Sequence, residues 1–324
     1  VNQNNYPEVK IGNFKLLAKL HEAKLGWRPI INSINHPTSK ICFFIDTLLK
    51  PFVINTPSYI KDSQHLIQIC NPIRFVKKPF IYSLDFSSLY SSINPDHAIP
   101  LLTEFISSHW IAKDIDLFAF QELMKLIFNY NIFKFKNKFF VQNKGLAMGC
   151  ICGPTFANLY LHILENKWMT IHKPLVYARF IDDVTIISSE ELDFDTFQES
   201  FVYLKLTMET GDEVNFLDLI ISYNPILKNL HFNLYIKPTN NGCYLLPSSE
   251  HPDHIFSNIP KNLLMRIRRI CSDYIDFIHH TKILFKQLVL RGYPKNKLLT
   301  TFSYISKIDR ETLIPYKEKK ENAF

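Results

Sequence analysis

Residues 179–187 read RFIDDVTII. Ile181, Val184, Ile186 and Ile187 describe a β-branched apolar run of the kind that forms a buried strand. Asp182 and Asp183 interrupt it with two carboxylates that cost several kcal/mol to bury as bare charges. Adjacent acids are common in exposed hairpin turns, but apolar strands on both sides make that description a poor one here. The pattern predicts a tight strand-turn-strand, with strands over 175–181 and 184–188 and the acids at the corner between them. A second acid-bearing strand lies upstream, where residues 80–86 (FIYSLDF) alternate and then stop with Asp85 at or near the end. If these two elements lie side by side in one sheet, three carboxylates converge at one edge and repel one another. Bound Mg²⁺ resolves that conflict, since a hard cation takes oxygen ligands.

The rest of the chain is consistent with a globular protein that handles a polyanion. Its 324 residues suffice for one large domain or two to three subdomains, and 47% hydrophobic and 14% aromatic content exclude a disordered chain. The net charge of +7 is unevenly spread: residues 1–80 carry 11 Lys/Arg against 4 Asp/Glu, residues 81–220 carry 10 against 18, and residues 221–324 carry 16 against 8. An acidic middle between basic flanks suits cation binding beside phosphate contacts, although solvated surface charge gives the same totals. Cys42, Cys70, Cys150, Cys152, Cys243 and Cys271 form no C-x-x-C pair, which predicts neither a zinc site nor a disulfide framework and suggests a reduced, intracellular protein. His251, His254, His279 and His280 lack cysteine partners at metal spacing and read as surface or core residues. A chain opening on Val1 without a signal peptide reads as a fragment of a longer open reading frame. Residues 145–164 lack charge over a membrane-spanning length, but Gly149, Gly153, Pro154, Asn158 and His162 favour a loop running into a buried helix, so no membrane is expected.

Strands and turns rather than a long helix are expected over the first 60 residues, with helices near 97–109, 116–128, 155–168 and 193–204. KFKNKFFVQ at 134–142 reads as a hairpin turning at Asn137, a strand is expected over 214–222, and a helical period runs from 260 to about 290. No Gly-rich phosphate loop appears, which disfavours a Rossmann or P-loop enzyme. The fold class is α+β.

SLDFSSLYSSI, GLAMGCICGPTFANLYL, RFIDDV and NFLDLII occur in the order and approximate spacing of reverse-transcriptase motifs A, B, C and E. Together with KLHEAKLGWRPIINSINHPT, YIKPTNNGCYLLPSSEHP and RIRRICSDYIDF…RGYP, they resemble the reverse transcriptases of Penelope-like retroelements over about residues 16–300. The resemblance implies a right-hand polymerase with partial fingers over 1–80, a palm over 81–222 with an interleaved fingers segment, and a palm connection with a helical thumb over 223–324. In the implied palm, an antiparallel sheet backed by helices carries Asp85, Asp182 and Asp183 as the catalytic, metal-binding triad, with the Phe86 carbonyl as a further ligand for two Mg²⁺ ions, or Mn²⁺ in their place. Lys19, with Lys24 as a neighbouring competitor, and Arg28 match fingers residues that contact the incoming triphosphate. Tyr90 matches the steric gate that selects deoxynucleotides, with packing on a helix start as its structural alternative. Met148, Gly149, Gly153 and Pro154 fall in motif B, where backbone approaches nucleotide and template; Met148 stands where many reverse transcriptases carry Gln, and Gly153 where another small residue is usual. Phe216, Leu217 and Asp218 match the primer-grip strand, Lys237 a phosphate contact, and Arg266, Arg268 and Arg269 a thumb helix tracking duplex backbone.

The implied reaction is extension of a DNA primer on an RNA template with deoxynucleoside triphosphates, in a retrotransposable element acting in the nucleus. A catalytically inactive nucleic-acid-binding remnant, or a relative making RNA on RNA, are the alternatives. TMETGDE offers no Lys as general acid, no GIY-YIG or RNase H motif is found in these residues, and KEKK at 317–320 makes a poor import signal.

Overall fold

The computed structural model describes residues 8–19, 26–109 and 116–316. In chain order the elements are β1 (Gly12–Lys19), β2 (Gly26–Ile31), α1 (Ser39–Ile54), α2 (Ser63–Cys70), β3 (Phe80–Ser87), α3 (Leu89–Ser92), α4 (Pro95–His109), α5 (Leu117–Asn129), β4 (Ile132–Phe135), β5 (Lys138–Val141), α6 (Gly153–His172), β6 (Val176–Phe180), β7 (Asp183–Ser188), α7 (Phe194–Glu199), β8 (Lys205–Thr210), β9 (Glu213–Phe216), β10 (Leu219–Asn224), β11 (Asn229–Leu234), α8 (Asp253–Ile270), α9 (Tyr274–Leu290) and α10 (Lys295–Ser306). They build three sheets, ordered β2-β1-β4-β5, β6-β7-β3-β8 and β11-β10-β9. This is a mixed α+β fold in which palm-like, largely antiparallel sheets, with β1 parallel to β4 in the first, are combined with helices. Two compact units emerge, each made of three stretches of chain: Val1–Tyr59, Leu84–Val184 and Glu191–Met208 in the first, and Ile60–Ser83, Thr185–Glu190 and Glu209–Phe324 in the second.

The first unit is organised around α6. Residues Thr155 to Leu161 of this helix are all buried, so it is hydrophobic on every side and is a core helix. That explains the charge-free stretch at 145–164; among the described residues no helix is long and apolar enough to cross a membrane. Packed against it is α1, a 16-residue helix where strands and turns are expected from the sequence. The turn residues between Pro29 and Thr38 belong to its approach, whereas Cys42, Ile45, Leu49 and Val53 recur at helical spacing and are its buried face. Pro51 falls in the last turn, and the Asn55 side-chain amide donates to its carbonyl at 2.9 Å, so the proline ends the helix without leaving that acceptor bare. The β4–β5 hairpin matches the sequence: Lys136 and Asn137 both take positive φ, at 45° and 63°, as a two-residue hairpin turn requires.

In the second unit β9, β10 and β11 form an antiparallel meander, Leu219 facing Phe216 on one side and Leu234 on the other. Residues 214–222, expected as one strand, are two strands joined by the turn Leu217–Asp218, with Leu217 at φ 54°. The long helical period from 260 is likewise broken, at Cys271–Asp273. Ser272 exchanges bonds with Phe232 of β11, its amide donating to the Phe232 carbonyl at 2.8 Å and its hydroxyl accepting from the Phe232 amide at 2.9 Å. Those bonds draw the backbone out of the helix and separate α8 from α9.

The packing of α1 on α6 sets a simple expectation. Ile45→Ala, which empties a fully buried site, should lower stability by about 2–4 kcal/mol in equilibrium denaturation, whereas Phe43→Ala on the exposed face of the same helix should change it by less than about 0.5 kcal/mol.

Candidate active site

The alternation of β3 buries Leu84 and Phe86 and leaves Asp85 exposed. The Phe86 amide donates to the Asp182 carbonyl at 3.1 Å, and the Thr185 hydroxyl of β7 donates to the Tyr82 carbonyl at 3.0 Å. The two contacts occur in opposite chain order along β3 and β7, so the strands are antiparallel neighbours and Asp85 stands beside the Asp182–Asp183 corner. The corner differs from expectation by one residue. Ile181 and Asp182 form a two-residue turn, and Asp183 already opens β7. Ile181 takes φ 58°, a left-handed conformation that costs an L-residue with a Cβ about 1–2 kcal/mol and is rarer still for a β-branched one.

A buried ion pair holds that strained turn. Arg179, the last but one residue of β6, is completely buried, as are Glu165 of α6 and Ser58. Its Nε donates to Glu165 at 2.8 Å, its Nη2 to Glu165 at 3.1 Å and to the Asn158 carbonyl at 2.9 Å, and its Nη1 to Asn158 Oδ1 at 2.6 Å and to the Ile181 carbonyl at 3.2 Å. The Ser58 hydroxyl donates to Glu165, and the Arg179 amide donates to the Ser58 carbonyl at 2.7 Å. Every donor of the guanidinium fork that reaches the turn is thereby fixed from α6, which makes Arg179, Glu165 and Asn158 positioning residues. The sequence reading missed them; the available signal was a charged residue inside the apolar strand that leads into the acids.

Further contacts run outward from the corner. Burial and then the Asp182 charge push the Tyr90 phenol up to about 12. The Leu146 amide donates to the Tyr90 carbonyl at 2.7 Å, and a Cβ added at Gly153 would lie 3.3 Å from the Tyr90 ring. Gly at 153, unusual among motif B residues, thus leaves room for the ring. Gly149 takes φ 112° and a Cβ there would meet the Ile31 carbonyl at 2.2 Å; the Ile31 amide in turn donates to the Met148 carbonyl at 2.9 Å. Pro154, second residue of α6, offers its carbonyl to the Asn158 amide at 2.8 Å. Arg28 is exposed on β2, the strand that ends at Ile31, opposite Leu17. Lys19 ends β1, while Lys24 and the run 317–320 lie outside the described residues.

The remaining expected nucleic-acid contacts belong to the second unit and divide in two. Leu217, Lys237 and Arg266 line one cavity of about 340 Å³ together with Asp218, Tyr244 and Gln287. Phe216 is buried in the meander. The three arginines do not form a common basic face: they sit in the last turns of α8, where cations favour the helix dipole, and each has its own partner. Arg266 donates from Nε to Asp218 at 2.8 Å and pairs with it through a second nitrogen; Arg268 donates to the Ile308 carbonyl at 3.1 Å and lies over the Phe277 ring at 5.5 Å; Arg269 donates to the Leu313 carbonyl at 2.9 Å, its pKa lowered by burial.

Comparison with known families completes the picture. Residues 21–208 match the model of "Reverse transcriptase (RNA-dependent DNA polymerase)". The chain belongs to the reverse transcriptase family. Residues 243–303, which contain α8 and α9, match the model of an "Animal helix-turn-helix domain". No curated protein sequence matches. Among solved structures, telomerase from Candida albicans in complex with a fragment of telomeric RNA superposes with a TM-score of 0.62 at 12% identity over 94% of this chain and 56% of that one. The RNA-dependent RNA polymerase of a human picobirnavirus gives 0.59 at 10% identity over 91% and 61%, and apo telomerase from Candida tropicalis 0.54 at 12% over 94% and 60%. These likenesses concern the fold, and the chain spans little more than half the length of those polymerases.

Two measurements probe the corner and its surroundings. Arg179→Met, which strands Glu165 as a buried charge, should cost about 3–5 kcal/mol in denaturant unfolding, and combining it with Glu165→Met should recover most of that loss. Gly149→Ala should destabilise by at least about 2 kcal/mol, because both the backbone conformation and the Ile31 contact oppose a Cβ.

Proposed function

We propose that the chain is an RNA-directed DNA polymerase of a Penelope-like retrotransposable element, extending a DNA primer on an RNA template. The observation that carries this reading is the Phe86–Asp182 hydrogen bond, which sets Asp85 beside Asp182 and Asp183 at a solvent-accessible corner. The donor set suits Mg²⁺: Asp85, Asp182 and Asp183 bring hard oxygen donors to neighbouring β3 and the β6–β7 corner where water also reaches, and the Phe86 carbonyl follows directly after Asp85. Asp85, Asp182 and Asp183 would hold it, and when bound it supplies charge neutralisation for a nucleotidyl transfer, with two ions the family's arrangement.

The chain's own residues do the positioning. The Arg179–Glu165 pair fixes the carbonyl of Ile181 and so the direction in which Asp182 projects. Tyr90, tied by its carbonyl to the Leu146 amide and with its ring beside Gly153, would serve as the steric gate against a ribose 2′-hydroxyl. Arg28, exposed on a strand tied to the Met148–Gly149 loop, offers a fork suited to triphosphate. On this reading residues 1–80 contribute fingers, 81–222 the palm and 223–324 the thumb, and Leu217, Lys237 and Arg266, which line one cavity, would contact primer or template. Because Arg266 is paired with Asp218, its contribution to phosphate binding is partly neutralised, and Lys237 carries the larger share. Retroelement integration places the site of action in the nucleus.

Primer extension tests the proposal. With an RNA template, a DNA primer, deoxynucleotides and Mg²⁺, the protein should extend the primer, and Asp182→Asn should reduce the rate at least about 100-fold while leaving template-primer affinity within about threefold. Binding without extension by the unaltered protein would instead mark an inactive relative. Tyr90→Val should raise ribonucleotide incorporation by about 10-fold or more; unchanged ribonucleotide use would favour an RNA-synthesising enzyme of the kind whose fold it shares.

A further inference from the structure

Three of the six cysteines, scattered in sequence and read there as no zinc site, come together in the first unit. Cys42 Sγ lies 3.4 Å from Cys150 Sγ, which lies 3.5 Å from Cys152 Sγ, and all three sulfurs fall within 4.8 Å of one another. These separations are far longer than a disulfide bond of about 2.05 Å and close to the roughly 3.7 Å edge of a tetrahedron of thiolates at about 2.3 Å from zinc. We propose that Cys42, Cys150 and Cys152 bind a soft d¹⁰ cation, Zn²⁺, which fastens α1 to the loop carrying Met148 and Gly149.

The surroundings suit a thiolate site in four respects. Cys42 in α1 and Cys152 at the N-cap of α6 are 2% and 1% exposed and sit on helices that pack together, so two ligands are fixed in advance. Cys150 is only partly buried, which gives the ion an entry path and leaves its fourth position to water. Cys152 is the N-cap residue of α6, where the positive end of the helix dipole favours negative charge on a ligand. The second shell is in place as well. His36 holds Nε2 on the Ile132 carbonyl at 3.0 Å, so it is an anchor rather than the fourth ligand, while its Nδ1 meets the Thr38 hydroxyl at 2.8 Å and the Thr38 amide at 3.3 Å. The Thr38 hydroxyl lies 3.8 Å from Cys42 Sγ and turns to donate once that sulfur is a thiolate, since the Thr38 amide still serves His36. As Zn²⁺ binds, the thiol protons leave to solvent.

The consequence falls on the nucleotide-facing loop. Cys150 directly follows Gly149, and its carbonyl accepts from the Gly153 amide at 3.1 Å. An ion at this point would hold the loop through Cys150 and Cys152, in addition to its bond to Ile31.

The test is metal analysis of the full chain purified under reducing conditions. About one equivalent of zinc per chain is expected after dialysis against Zn²⁺, falling below about one-tenth in Cys42→Ser and Cys152→Ser but not in Cys243→Ser, whose residue is exposed and remote from the cluster in sequence. Thr38→Val should weaken zinc binding about 10-fold without removing it. Should the serine variants fail to fold, alkylation of the unaltered protein decides. Protection of Cys42, Cys150 and Cys152 by Zn²⁺, reversed by a chelator, supports the site; equal labelling with and without Zn²⁺, absence of bound zinc, or a disulfide within the trio in the reduced preparation overturns it.

Discussion

The buried pair between Arg179 and Glu165 is the constraint on which the acidic corner rests. Isolated, either charge would be prohibitive in a site with no solvent access; together, with Asn158, Ser58 and the Ile181 carbonyl, they satisfy one another and convert a desolvation problem into a rigid support. The turn they support is one the chain would not choose locally, since Ile181 sits in left-handed backbone. A strained turn persists only where its environment over-determines it, and here the environment is a charged fork reaching from strand to core helix. The part-buried acids of the corner are therefore held by a fully buried one, Glu165, through Arg179.

Around this support the structure links elements that are far apart in sequence through single backbone bonds. Phe86 to Asp182, Leu146 to Tyr90 and Ile31 to Met148 each join two segments, and in series they connect the carboxylates with the strand that bears Arg28. Glycine permits the closest of these approaches: at Gly149 any side chain would strike the Ile31 carbonyl. The motif-bearing loop is thus defined by where backbone must touch backbone.

Much of this was legible in the sequence, and for identifiable reasons. Asp85 and the acid pair declared themselves by interrupting apolar strands, and the Lys136–Asn137 turn by its alternation and its asparagine. What escaped was set by tertiary context. The helix α1 was hidden because Pro29, Pro37 and Pro51 bracket its period, and the separation of α8 from α9 because Ser272 is claimed by β11, a partner 40 residues away. The three arginines of α8 read as one basic surface, yet Asp218 and the carbonyls of Ile308 and Leu313 take them singly. The cysteine trio was invisible to local spacing because one sulfur comes from a helix 108 residues upstream of the next.

The way the two units share the chain affects how the protein is made. The first is complete once Met208 has been synthesised, whereas the second, begun at Ile60, waits for a final stretch that runs to the last residue. During translation the carboxylate corner can therefore acquire its full set of neighbours while the helical C-terminal third is still emerging, and the early pieces of the second unit, Ile60–Ser83 and Thr185–Glu190, must be kept in readiness until it arrives.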